Sequence, residues 1–150
     1  MQVQDIMTEK PACCTAESNL QQVAQMMVDC DCGEIPVMDN GHLVGVVTDR
    51  DIACRAVAQG KDPAKIKAQE IMSSPVVTIP DDADLDECCR VMESAQVRRV
   101  PVVDRAGNCR GIVSQADIAC RGSEHKAGEV VRDVSRPTAG SSRARAIASA

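Results

Sequence analysis

The chain has 150 residues, of which 44% are hydrophobic, a formal net charge of −5, nine cysteines and no Phe, Tyr or Trp. That length suits one compact domain or two half-size units sharing a core. The acidic balance and the missing aromatic rings exclude the basic patch and stacking platform of a nucleic-acid binder. No apolar run approaches the roughly 20 residues of a membrane span, and Met1–Ile6 lacks the basic start and apolar stretch of a secretory signal, so a soluble cytoplasmic protein with no membrane partner is expected.

Taken in chain order, the sequence repeats itself. Asp5-Ile-Met-Thr8 recurs as Glu70-Ile-Met-Ser73, Glu34-Ile-Pro-Val-Met-Asp39 as Arg99-Val-Pro-Val-Val-Asp104, and Gly45–Arg55 as Gly111–Arg121, at a spacing near 65 residues. Such ordered self-similarity marks a duplicated structural unit. In the first copy, a lead-in with Ile6-Met7 runs into a short extended stretch. A helix follows, with Leu20, Val23, Met27 and Val28 at the spacing of one face. Ser18-x-x-Gln21 has the capping-box spacing for its start. Ile35–Met38 and Leu43–Val47 then flank Asp39-Asn40-Gly41, a hairpin signal, and a second helix opens near Asp49.

The second copy reads alike: Val76–Ile79 extended, a helix on Leu85, Cys88, Cys89 and Met92, a strand pair Val100–Val103 and Cys109–Val113, and a helix from Gln115 to a stop at Gly122. Each unit is therefore β-α-β-β-α. One copy is too small to bury its apolar face, so the fold class expected is α/β, two repeats packed sheet to sheet as one pseudo-two-fold module. The boundaries are 3–59 for the first repeat, 60–69 for a linker carrying Gly60 and Asp62-Pro63, and 70–122 for the second. Residues 123–136 hold a short helix with Val130, Val131 and Val134 on one side, and 137–150 read by composition as a disordered tail.

The chemistry concentrates in Gly45-Val-Val-Thr48-x-x-Asp51 and Gly111-Ile-Val-Ser114-x-x-Asp117. A hydroxyl followed three residues later by an acid caps a helix. The same place, a strand end meeting a helix N-terminus, offers backbone N–H groups to a phosphate and a carboxylate to a ribose diol. The two roles are compatible. Cys30-Asp-Cys32 and Cys13-Cys14, with His42 nearby, raise a metal or redox reading, but their spacing is not that of ordinary zinc sites. Cys88 and Cys89, with Cys54 and Cys120 on two other helices, read as core thiols. Neither His42 nor His125 has a repeated acid or nucleophile beside it, so no catalytic residue is assigned.

These motifs resemble a pair of cystathionine-β-synthase (CBS) domains over about residues 3–122, and most of all the free-standing bacterial two-CBS proteins of the hypoxic-response type. The resemblance implies a non-catalytic sensor of AMP, ADP, ATP or S-adenosylmethionine, with no covalent cofactor, that pairs into a disc-like homodimer. It implies that Asp51 and Asp117 take ribose hydroxyls, that Thr48 and Ser114 contact ribose or phosphate, and that Ile35 and Val100 line the base. Pro36, Pro101 and Thr78 are expected beside them. Position 34 is Glu where the second copy has Arg99. A carboxylate repels a phosphate whereas Arg98 and Arg99 attract one, which favours the second copy as the nucleotide site. A ligand-free dimerisation scaffold, and a cysteine sensor on Cys30 and Cys32, are the alternatives.

Overall fold

The computed structural model describes residues 1–136, so the reading of 137–150 as a disordered tail lies outside the described residues. The chain opens with a 3-10 turn at Val3–Asp5 and a short strand, β1 (Thr8–Glu9). This strand does not join its own repeat. It pairs antiparallel with the closing strand of the second, Thr8 opposite Ile112 and Glu9 opposite Gly111. The side chains go with it: Val3, Ile6 and Met7 are buried among Val100, Val102, Val113 and Ile118.

The first repeat then builds β2 (Cys14–Thr15), α1 (Leu20–Cys30), β3 (Glu34–Asp39), β4 (His42–Thr48) and α2 (Asp49–Ile52), which runs on into a π turn at Ala53–Val57. Its sheet has the order β2-β3-β4, with β2 parallel and β4 antiparallel to β3. Asn40 and Gly41 both take positive φ, 49° and 78°, as a two-residue turn matched to strand twist requires. Helix α1 starts one residue later than expected. Asn19, not Ser18, is the cap: its Oδ1 accepts from Gln22 N–H at 2.9 Å, and Gln22 Oε1 accepts from Asn19 N–H at 3.1 Å. Ser18 Oγ instead accepts from Thr15 N–H at 3.1 Å. Leu20, Val23 and Met27 are buried, but Val28, about 140° round the helix from Val23, is 73% exposed.

The second repeat contributes α3 (Ala68–Ile71), β5 (Ile79–Pro80), α4 (Leu85–Ala95), β6 (Arg99–Val103), β7 (Cys109–Ser114), α5 (Gln115–Arg121) and α6 (Glu124–Val134). Its sheet runs β1-β7-β6-β5. The extended stretch expected at Val76–Ile79 is confined to Ile79–Pro80, parallel to Val102–Val103. The lead-in of this repeat crosses in its turn. Ala68 and Ile71 are buried with Leu20, Val23, Ile35 and Val37 of the first core, and Ser73 exchanges hydrogen bonds with Val46 on β4 at 2.8 and 3.1 Å. The stretch read as a linker leads into this crossing and is tied down by it, with Ile66 C=O accepting from Leu20 N–H at 2.9 Å.

The result is two α/β repeats packed sheet to sheet about a pseudo-two-fold, each finished by the other's lead-in. Helix α6 covers the second core with Val130 and Val134, while Val131 points outward, 44% exposed. Cys88 is buried and Cys89 half-buried, but Cys54 and Cys120 are exposed. Cys120 lies about 200° round the helix from the buried Ile118, and Cys54 stands likewise opposite Ala56. Among the described residues no helix is long and apolar enough to cross a membrane.

The crossing explains the glycine that opens each repeated motif. A Cβ at Gly111 would stand 2.6 Å from Met7 Sδ and 2.7 Å from the Thr8 carbonyl oxygen. At Gly45 the three nearest atoms all belong to the Met72 side chain. A flexible thioether can move; a paired backbone cannot. Gly111→Ala is expected to cost about 2–3 kcal/mol in urea denaturation, toward the upper end for overpacking, and Gly45→Ala distinctly less. Equal losses would contradict this reading of the two contacts.

Candidate ligand-binding site

Both helix starts form the reciprocal cap that their spacing suggests. Asp51 N–H donates to Thr48 Oγ1 and Thr48 N–H to Asp51 Oδ2, each at 3.0 Å. Ser114 N–H donates to Asp117 Oδ2 at 2.8 Å, Asp117 N–H donates to Ser114 Oγ at 3.2 Å, and the Ser114 hydroxyl donates to the same carboxylate at 2.8 Å. Each cap leaves part of its carboxylate for other partners, and here the repeats differ.

Asp51 is 9% exposed and already engaged. Ser73 Oγ donates to it at 3.4 Å, and Arg55 Nη2 lies 3.8 Å away. Arg55 is fixed there by donating to the Ile71 carbonyl at 2.8 Å. Asp117 has no cation within 4.0 Å among the described residues; Arg121, at the same offset as Arg55, reaches the Ile6 carbonyl at 3.5 Å instead. The freer carboxylate opens on a crevice of about 630 Å³ between the repeats, walled by Thr8–Ala12 of the crossed lead-in, the Cys30–Glu34 turn, Asp49, Arg99, Ser114 and Asp117.

The crevice brings together residues that belong to different copies in sequence. Glu34 and Arg99 begin the corresponding strands β3 and β6 of the two sheets, opposite Thr48 and Ser114 respectively. Arg99 reaches across the repeats, so that a Cβ on Gly33 would meet its Nη2 at 2.9 Å and Asp49 Oδ2 at 3.0 Å. Glu34 is only 5% exposed. Burial pushes its carboxyl up to about 7, with Arg99 pulling down and Asp51 pushing further up. Glu34 therefore faces the same space as Asp117, rather than a separate first-copy site.

Other residues read from the sequence lie elsewhere. Ile35 and Val100 are fully buried, Pro36 and Pro101 are buried next to them, and Arg98 is exposed. Thr78 is exposed and lines a different groove with Leu43, Val44 and Val76. Cys30 and Cys32 sit on the crevice wall, but among the described residues no group of three or more His, Cys, Asp or Glu is placed to hold a metal ion. Lys10, Gly33 and Asp49 were not singled out by sequence, because the signal that joins them to Asp117 is the crossing of the lead-in and not any local spacing.

A profile of the CBS domain family matches residues 3–56 and again 68–122. Hypoxic response protein 1 of Mycobacterium tuberculosis is 36% identical over 136 residues, 90% of this chain and 94% of its own length. The crystal structure of Hypoxic Response Protein I with two coordinated zinc ions is similar at a TM-score of 0.74 and 36% identity, over 81% of this chain and 98% of that one. So is the CBS domain pair of protein MJ0100 in complex with 5′-methylthioadenosine and S-adenosyl-L-methionine, at a TM-score of 0.73 and 30% identity, over 80% of this chain and 94% of that one.

The buried carboxyl gives the site a pH signature. The native state holds the Glu34 proton up to about pH 7, and an unfolded chain releases it near 4.5. The native state thus binds more protons between these values, and stability falls as pH rises through that window. Above it the full penalty is present, at most about 3 kcal/mol. Glu34→Gln is expected to be more stable than the parent at about pH 8 and to lose that advantage by about pH 5, measured by denaturant titration at both pH values. An advantage independent of pH would show that Glu34 is not held up by burial.

Proposed function

The chain belongs to the CBS domain family as a pair of such domains, and on that premise we propose that this regulatory module senses an adenosine-containing ligand in the crevice that opens on Asp117. The observation that carries the reading is the uncommitted carboxylate: Asp117 is positioned by the Ser114 cap, has no cation partner among the described residues, and faces about 630 Å³ of space. A ribose diol would donate both hydroxyls to it, with Ser114 N–H and Oγ holding the acceptor still. Asp51 is the weaker candidate because Arg55 and Ser73 already use its oxygens.

The crevice charge bears on which adenosine compound is held. Asp31, Asp49 and Asp117 stand against Lys10 and Arg99, while Glu34, raised to about 7 by burial, is in part protonated at neutral pH. That excess of carboxylates disfavours the phosphates of AMP, ADP and ATP and suits a neutral or sulfonium group, as in 5′-methylthioadenosine or S-adenosylmethionine. The pair from protein MJ0100 carries those two compounds. Arg99, whose guanidinium lies over Gly33, is the cation that a phosphate would have to recruit.

The module is non-catalytic in this reading, and it works in the cytoplasm as a homodimer. Exposed Val28 and Val57 support the pairing. A role in a stress response follows the hypoxic response relative alone.

Calorimetry with S-adenosylmethionine, 5′-methylthioadenosine, AMP, ADP and ATP tests the proposal. Asp117→Ala is expected to weaken the best ligand by roughly ten- to a hundred-fold, the range for losing charge-assisted hydrogen bonds, and Asp51→Ala to weaken it less. If the parent binds and Asp117→Ala binds equally well, the site is misplaced. If none of the five compounds binds, the ligand-free scaffold is the better account.

A further inference from the structure

The fold sets two cysteines from different repeats against each other. Glu9 faces Gly111 in the β1–β7 ladder, and Lys10 N–H donates to the Arg110 carbonyl at 3.2 Å. The same antiparallel course brings Pro11 beside Cys109. Cys13 folds back on this turn, its Sγ 3.3 Å from the Pro11 carbonyl oxygen. Cys109 Sγ lies 3.7 Å from the Gly111 carbonyl oxygen. The two thiols are thereby neighbours across this turn, near enough for each to shift the other's titration. Cys13 is exposed and Cys109 half-buried.

We propose that Cys13 and Cys109 form a peroxide-oxidisable dithiol, a modification site whose disulfide fastens the lead-in of the first repeat to the last strand of the second. The pair is chemically asymmetric, as such a reaction needs. The Cys109 hydrogen bond brings the Cys13 thiol down to about 7 in spite of partial burial, and the same bond, with burial, pushes Cys109 upward. Cys13 thus offers a thiolate near neutral pH and Cys109 holds its proton. Burial holds the neighbouring Cys14 up to about 11 and Cys88 up to about 12, and raises Cys32 and Cys89. These compete poorly as nucleophiles.

The steps balance with a hydroperoxide as the two-electron oxidant. Cys13 thiolate attacks the outer peroxide oxygen. The S–O bond forms as the O–O bond breaks, and the departing alkoxide leaves as alcohol after taking a proton. Cys109 sulfur then attacks the Cys13 sulfenic acid. The S–S bond forms as the S–O bond breaks, and the hydroxide leaves with the Cys109 proton as water. The sum is two thiols and one hydroperoxide giving one disulfide, one alcohol and one water. Thr8, Lys10, Pro11 and Ala12 form one wall of the crevice, and a bond at Cys13 would pin that wall at its end. This consequence rests on the crevice reading; the dithiol itself does not.

The test uses the reduced full chain and one equivalent of hydrogen peroxide. Free thiols are expected to fall from nine by two, and peptide mapping without reduction should recover Cys13 joined to Cys109 within one chain. In Cys109→Ser, which keeps a donor but cannot complete the bond, Cys13 should stop at a sulfenic acid trapped by dimedone. In Cys109→Ala, limiting iodoacetamide at neutral pH should label Cys13 several-fold more slowly than in the parent. An unchanged thiol count overturns the proposal, as does a disulfide mapped to any other pair or between two chains.

Discussion

Two methionines lying on two glycines hold this molecule together. Met7 rests over Gly111 and Met72 over Gly45, so closely that a Cβ at either glycine would collide. The contact exists because each lead-in crosses to the opposite repeat and lies along the edge of its last strand. Neither repeat completes its own core. The second depends on Val3, Ile6 and Met7, the first on Ala68 and Ile71. Burying each of the larger of these, Val3, Ile6, Met7 and Ile71, stabilises by about 1.5–3 kcal/mol, which is large beside the stability of a small domain. A duplicated half-size unit becomes one module by this reciprocal completion.

The crossing also makes the crevice. With Thr8–Ala12 laid along β7, a wall stands opposite the Ser114 cap, and the turn after α1 closes the other side. The equivalent place near Thr48 is built from the same motif yet filled from within. Arg55, in the π turn, folds back between Asp51, Ser73 and the Ile71 carbonyl. Arg121, at the end of an α-helix, points to Ile6 instead. A π turn widens the helix and re-aims the side chains that follow it. One pair of capping boxes thus yields one committed and one available carboxylate. Capping and ligand binding are not rival roles for Asp117, since the cap is what fixes its orientation.

Much of this was legible in the sequence, and the limits are physical. The duplication, the Asn40-Gly41 hairpin, the helix start at Ser114, the stop at Gly122 and the α/β class all depend on local chemistry or on self-similarity, both of which a one-dimensional reading preserves. The cap of α1 slipped by one residue because Ser18-x-x-Gln21 and Asn19-x-x-Gln22 carry the same signal, and the turn at Thr15 claims Ser18. Val28 and Val131 share the apolar spacing of their helices yet stand exposed, because spacing cannot tell the centre of a stripe from its edge. What no local pattern carries is the crossing itself, and with it the meeting of Glu34, Arg99 and Asp117 in one space and of Cys13 with Cys109. Glu34, read from the sequence as a charged residue of a first-copy site, lies on the wall of the shared crevice with its carboxyl raised to about 7 by burial.

Which half of the chain the first residues support therefore decides how the two repeats become one module. Amide hydrogen exchange on Ile6→Ala, followed residue by residue against the parent, asks this directly. Ile6 is 1% exposed within the second core. Protection is expected to be lost first in Arg99–Val103 and Cys109–Ser114, nearly a hundred residues along the chain, with Glu34–Asp39 and His42–Thr48 less affected. Loss concentrated in the latter two strands, or spread evenly over all four, would contradict it.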